Sequence, residues 1–213
     1  LGTILASVLT ARAQKILLDT GATRWAEAEL FDWLNAGQAE IAIIAPDAVM
    51  TVGNIALVAG TKQSLPTGGF FLQRVIRNMG VGGTTAGDAV RLVPHQLLDM
   101  QRPGWHSDTS TLVVKNYTYD QAKPETFYVY PPQTSANYVE AEYALMPTNV
   151  SAVSNAINIP DRYAGPLLDY ILYRAFSKDI ELPGSESRAL AHRAAMENSL
   201  GLTAKAASGS EAK

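Results

Sequence analysis

The period of the apolar residues changes twice along the chain, and that change limits the folds open to it. Between Thr3 and Leu18, positions Ile4, Val8, Ala11 and Lys15, with Leu5, Leu9, Ile16 and Leu17, recur at helical spacing. Gly21 ends this stretch, and a second helix is expected from about Ala26 to Ala45. Its core face is Leu30, Leu34, Ile41 and Ala45, widened by Phe31 and Ile44. Pro46 stops it, because the residue before a proline avoids the helical region. From about Val49 to Thr148 the spacing becomes that of strands. Ile55 and Leu57 lead into Gly60 with Gln63 to Pro66 returning, and Phe70 to Arg77 and Ala89 to Val93 flank a glycine-rich turn. Pro94 to Met100 suits one short helix. Thr109 to Tyr119, Glu125 to Tyr130 and Asn137 to Leu145 then follow as strands. In the last, Val139, Ala141, Tyr143 and Leu145 alternate with Tyr138, Glu140 and Glu142, the pattern of a sheet with one wet face. From Asp161 the helical period returns. Leu168, Ile171, Leu172, Ala175 and Phe176 form a stripe, and Ser185 caps a final alanine-rich helix closed by Gly201.

The order predicts an α+β fold: a helical bundle built from the N- and C-terminal helices, with an antiparallel β domain inserted between them. The expected divisions are 1–48 and 149–202 for the bundle, 49–148 for the β domain, and a polar tail over 203–213. At 213 residues the chain is long enough to bury a core without disulfides, and it has no cysteine. That absence removes thiolate zinc sites, iron–sulfur clusters and cysteine nucleophiles. No apolar run approaches the ~20 residues of a membrane span. Arg12 and Lys15 lie inside the first periodic stretch rather than ahead of an apolar block, which is not the layout of a signal peptide. Net charge is 17 − 20 = −3. A nucleic-acid binder would show a basic stripe. Here Asp19 to Asp47 holds six acids against one base, Arg24.

Residues able to carry chemistry are sparse. The run Gly80 to Gly87 lacks the lysine and Ser/Thr of a phosphate loop, so it reads as a hairpin turn. His95, His106 and His192 sit in separate segments with no partner at metal spacing. His106 with Ser107 and Asp108 resembles a piece of a hydrolytic triad, but no nucleophile elbow accompanies it. Glu140 and Glu142 share a strand face and read as solubilising. Asn116 and Asn149 sit in glycosylation-type triplets that carry no meaning without a secretory route. Aromatic residues are plentiful in the later strands: Tyr117, Tyr119, Phe127, Tyr128, Tyr130, Tyr138 and Tyr143. Half of them can point into a core, which leaves the rest for solvent or a partner.

A series of short motifs resembles the head-to-tail adaptor, or connector, proteins of tailed bacteriophages. The first group is Arg24-Trp25, Glu29-Leu30, Trp33-Leu34-Asn35, Gly37-Gln38, Glu40-Ile41 and Pro46-Asp47-Ala48. Arg77-Asn78-Met79, Pro103-Gly104-Trp105-His106 and Phe127-Tyr128-Val129-Tyr130-Pro131-Pro132 follow. Ile159-Pro160-Asp161, Tyr163, Asp169-Tyr170, Leu172-Tyr173-Arg174-Ala175 and Ser177-Lys178-Asp179 complete it. Order and spacing match up to about Leu202. The resemblance implies a structural virion protein without catalytic activity or cofactor. Such proteins form a ring, usually of twelve copies, under the portal of the DNA-filled head, extend the exit channel and carry the tail or nozzle. The implied partners are further copies of the chain, the portal, the tail or nozzle protein, and genomic DNA that passes without sequence-specific binding. The implied location is the neck of the virion, with assembly in the host cytoplasm.

Site residues follow from that resemblance. Trp25, Trp33, Tyr170 and Arg174 are expected at the ring interface; one tryptophan is expected in the bundle core and the other at a neighbour. Glu27, Glu29 and Asp32 are expected on the channel wall. Arg193, Met196, Leu200, Leu202 and Lys205 are expected to dock on the portal. The alanines of the last helix, Ala189, Ala191, Ala194 and Ala195, would let helices approach closely. A stopper or tail-terminator ring, or a hydrolase using His106 and Asp108, are the alternative readings.

Overall fold

The computed structural model describes residues 2–179 and 181–210, the stretch 202–210 by its backbone alone. The fold is α+β, and the chain divides into two compact units, Leu1–Val49 with Pro147–Lys213, and Met50–Met146.

The first unit contains α1 (Ala6–Ile16), α2 (Glu27–Ile44), α4 (Ala164–Lys178) and α5 (Ser185–Ser210). Helix α2 packs on α4, and α4 on α5. Leu30, Trp33, Leu34, Ile41, Leu167, Ile171, Leu172, Met196 and Leu200 share one apolar core. Gly37 sets the α2–α4 approach: a Cβ there would lie 2.7 Å from Leu167 Cδ1 and 2.8 Å from Tyr170 Cδ1. The buried face of α1 differs from the expected one. Ala6, Leu9, Thr10 and Ala13, continued by Leu17, turn inward. Leu5, Val8 and Ile16 remain exposed, as do Ile43 and Ile44 at the end of α2. The reason is that residues 3–7 lie along the return segment. Ile157 N–H donates to Ile4 O, Ala6 N–H to Asn155 O and Ser7 N–H to Val153 O. Those bonds fix the rotation of α1 and turn its smaller residues inward. Helix α5 also runs through Gly201 to Ser210 instead of closing at Gly201; a lone glycine weakens a helix by about 1 kcal/mol relative to alanine without ending it.

The second unit contains β1 (Met50–Ala56), β2 (Gly60–Ser64), β3 (Gly69–Val81), β4 (Arg91–Leu92), α3 (His95–Gln101), β5 (Asn116–Tyr119), β6 (Thr126–Gln133) and β7 (Asn137–Leu145). One sheet has the order β1-β7-β3 and the other β2-β6-β5-β4. Among the described residues all strand pairs are antiparallel except β4–β5, which is parallel and departs from the all-antiparallel expectation. Ile55, Leu72, Val75, Val139 and Ala141 from the first sheet meet Tyr117, Phe127 and Val129 from the second in one core.

Two strand expectations are corrected. Strands β1 and β2 are not a hairpin; they belong to different sheets. The crossing is held by buried Gln63, whose Oε1 accepts from Val58 N–H at 2.8 Å and whose Nε2 donates to Val58 O and Gly60 O. Residues 109–115 make one isolated bridge, Thr111 with Gln133, in place of a strand. Across from them stand Pro131 and Pro132, which can accept but not donate, so a ladder cannot extend. Their carbonyls are used singly, Pro132 O by Thr111 N–H and Pro131 O by Gln133 Nε2. The wet face of β7 is as expected up to Tyr143, and cross-strand pairs Arg77–Glu140 and Arg74–Glu142, each 2.8 Å, cover it. After that, Ala144 is buried and Leu145 exposed.

Candidate functional site

Helices place the expected interface residues unevenly. Trp25 and Trp33 are both buried in the helical core, which corrects the expectation that one of them reaches outward. Asp19 is the reason for Trp25. Its carboxylate accepts from the N–H groups of Thr23, Arg24 and Trp25, each at 2.9 Å, which folds the turn before α2 and tucks the indole inward. Those bonds, that from Trp25 foremost, hold the Asp19 carboxyl below its ordinary range. Tyr170 is buried too, against Gly37, whereas Arg174 is exposed and donates from Nη1 to the Tyr170 hydroxyl at 3.3 Å.

The acidic surplus between Asp19 and Asp47 is partly met from the C-terminal segment. Lys178 Nζ donates to both oxygens of Glu29 at 2.7 Å, Arg193 reaches Glu40 at 3.1 Å, and Arg162 reaches Asp47 at 3.4 Å. Glu27 and Asp32 are exposed. Five residues apart on a helix, they point about 140° from each other, so one wall does not take both.

The C-terminal set is mostly engaged within the chain. Met196 and Leu200 are buried, so they are core residues of the bundle and not free docking side chains. Arg193 bridges Glu40 and Glu197, and the bond to Glu197 foremost makes it a still weaker acid than an ordinary arginine. Leu202 and Lys205 carry side chains outside the described residues. Of Ala189, Ala191, Ala194 and Ala195, the first is in the core and the other three are exposed. His192 is tied to α4, its Nδ1 2.8 Å from Asp169 Oδ1 and its ring stacked on Phe176.

Several motif residues turn out to hold the chain's two ends together. Asn35 Oδ1 accepts from Val150 N–H at 2.8 Å, and buried Gln38 accepts from Asn158 N–H at 2.6 Å. Asp161 accepts from the Thr3 N–H and hydroxyl and from the Ile4 N–H, and the Thr3 hydroxyl leads in keeping that carboxyl below its usual range. The Tyr163 hydroxyl donates to Asp47 at 2.9 Å. Burial pushes the Tyr163 phenol up. Periodicity carries no trace of these roles; polar residues interrupting an apolar helix face, Asn35 and Gln38, were the available signal.

In the β unit part of the aromatic surplus, Tyr128 and Tyr130, gathers round Trp105, which is fully buried. His106 stacks on it at 3.8 Å, and His95, Tyr128 and Tyr130 meet its edge. The indole N–H donates to Asp99 Oδ1 at 2.9 Å. His106 Nδ1 lies 2.8 Å from the Thr61 hydroxyl, while Asp108 pairs with Arg102 at 2.7 Å. The two members of the triad fragment thus serve different partners, which removes the geometric basis of the hydrolase reading. The structure also brings His106 up to His95 and Asp99, which share one face of α3, a juxtaposition that its place outside that helix had hidden.

Among the described residues, no helix is long and apolar enough to cross a membrane. The family model described as SU10 adaptor protein matches residues 4–212. No curated protein matches the chain.

Proposed function

We propose, since the chain belongs to the SU10 adaptor protein family, that it is a ring-forming component of the phage neck, twelve copies joining the portal to the tail or nozzle. The match along nearly the whole chain carries this reading, and the family description points to a structural rather than a catalytic role. The helical unit supplies the physical support. It leaves Leu5 just before α1, Val8 and Ile16 on α1, and the alanine face of α5 outside its own core. A closed ring needs two different faces per copy, one for each neighbour, and these two faces fit that requirement. Arg174, exposed on α4, is a further contact residue in this reading. The end of α5, with Leu202 and Lys205, docks on the portal, and one of the exposed acids of α2, Glu27 or Asp32, supplies an acidic position past which DNA slides during packaging and ejection.

Native mass spectrometry of the full chain, with and without purified portal, tests the reading. Twelve copies recruited to one portal ring are expected. A 22.9 kDa monomer that ignores the portal, or an assembly with no fixed copy number, would overturn it. Truncation after Leu202 separates the docking claim: ring formation is retained while attachment to portal-bearing heads is lost.

A further inference from the structure

The three side chains gathered beside Trp105 make a second candidate site, unrelated to the neck role. His95 and Asp99 stand one turn apart on α3, and His106 approaches from the short 3-10 turn Trp105–Ser107. One ligand atom from each lies within 4.8 Å of the other two. We propose that His95, Asp99 and His106 bind one zinc ion, which staples α3 to that turn.

Ligand chemistry selects the metal. Two imidazoles and one carboxylate suit borderline first-row ions, whereas Mg²⁺ and Ca²⁺ prefer all-oxygen shells. Geometry permits it. A tetrahedral zinc with ligands at ~2.1 Å sets those ligands ~3.4 Å apart. His95 Nε2 and Asp99 Oδ2 are already 3.6 Å apart, close to that spacing, and their side chains are 44% and 51% exposed.

The surroundings have the form of an outer shell. Zinc ligands are usually held by a second hydrogen bond that fixes their orientation. Here the buried Trp105 indole N–H holds Asp99 Oδ1, which leaves Oδ2 toward His95. The Thr61 hydroxyl on β2 holds His106 Nδ1, and stacking on Trp105 fixes the plane of that ring. An isolated surface histidine needs no such support. Access exists as well: His95 also lines an open groove of about 600 Å³ with Tyr119, Lys123 and Tyr128. All three ligand residues are exposed, so the fourth position is left to water from the solvent.

The experiment uses the full chain with any affinity tag removed. Zinc is titrated in competition with a chromophoric chelator, and Co²⁺ is added separately to record its visible absorption. One equivalent is expected to bind, with the Co²⁺ bands of a four-coordinate nitrogen and oxygen site. Asp99→Asn keeps an oxygen for the Trp105 N–H and removes the anionic ligand, so affinity should fall at least ~10-fold. His95→Gln, at a half-exposed position, should do the same without disturbing the core. His192→Gln, on the other unit, should leave binding unchanged. Zinc should raise the melting temperature of the parent chain and not that of Asp99→Asn. Lack of saturation by about 1 mM zinc overturns the proposal. So does binding that survives both site substitutions, or binding lost only in His192→Gln.

Discussion

At Gly37 two effects of known size oppose each other. Alanine there would gain about 1 kcal/mol of helix propensity. It would also drive a methyl to 2.7 Å from Leu167 and 2.8 Å from the Tyr170 ring, both buried, and overpacking of that kind costs about 1–3 kcal/mol. Gly37→Ala should therefore be net destabilising, seen as a lower urea midpoint; a midpoint at or above the parent's would show that α2 and α4 can separate cheaply. Asp161 gives a pH signature. Its folded pKa lies below the ordinary value because Thr3 and Ile4 donate to the charged form. The stabilisation is thus complete above the unfolded pKa of ~3.9 and is lost as pH falls through the lower folded value. Asp161→Asn should be less stable at neutral pH and should lose less stability on acidification than the parent, compared by urea midpoints at pH 7 and in the acid range. Asp19 adds a similar dependence, so the slope shrinks without vanishing; parallel curves would show that the Thr3 contact is not felt. Sequence named many of these residues through a motif series and could not say what they did. Asn78, for instance, is a buried clamp that bonds both backbone groups of Val114. Its partner is 36 residues away, beyond the reach of any local pattern.

Elements were legible where a single face decides them, and not where a distant segment does. The limits of α2, α3 and β7 follow from Pro46, Pro94 and strict alternation. The rotation of α1 does not, because both of its sides carry apolar residues and residues 153–157 choose between them. The proposed ring contact rests on that choice. Replacing Val8 and Ile16 together by serine removes exposed apolar surface, 38% and 49% accessible, and should change monomer stability by no more than about 1 kcal/mol. Association with neighbours should suffer far more, since the same atoms would be fully buried there. Thermal melting of the monomer and recovery on portal-bearing heads read the two effects apart. A large melting shift would place these residues in the fold of the chain itself, and normal recovery on heads would exclude them from the ring contact.

For the whole molecule, the helix–sheet–helix order read from the sequence raises the question of whether the β unit is a true insertion. The two ends of the β unit fit an insertion. Strand β1 begins at Met50 and β7 ends at Leu145, and Met50 pairs with Ala144 in the same antiparallel ladder. Paired residues on adjacent strands lie about 5 Å apart, so the chain leaves the β unit beside the point where it entered. Domains inserted in this way, with their own core and neighbouring termini, tolerate excision. Both units meet the first condition, since the helical core and the β core are separate clusters. Within the helical unit the cut leaves the clasps intact. Asn35 to Val150, Gln38 to Asn158, Tyr163 to Asp47 and Asp161 to Thr3 all join the first segment to the last. Joining Val49 to Pro147 through a short Gly/Ser linker should therefore give a protein with helical circular dichroism and one cooperative melt. Residues 50–146 alone should give a β spectrum and a melt of their own. If the neck role resides in the helices, the linked version should still assemble, while the excised β unit should not. A linked helical protein that aggregates or melts without cooperativity would mean that the two cores depend on one another, and the insertion would then be one of sequence order only.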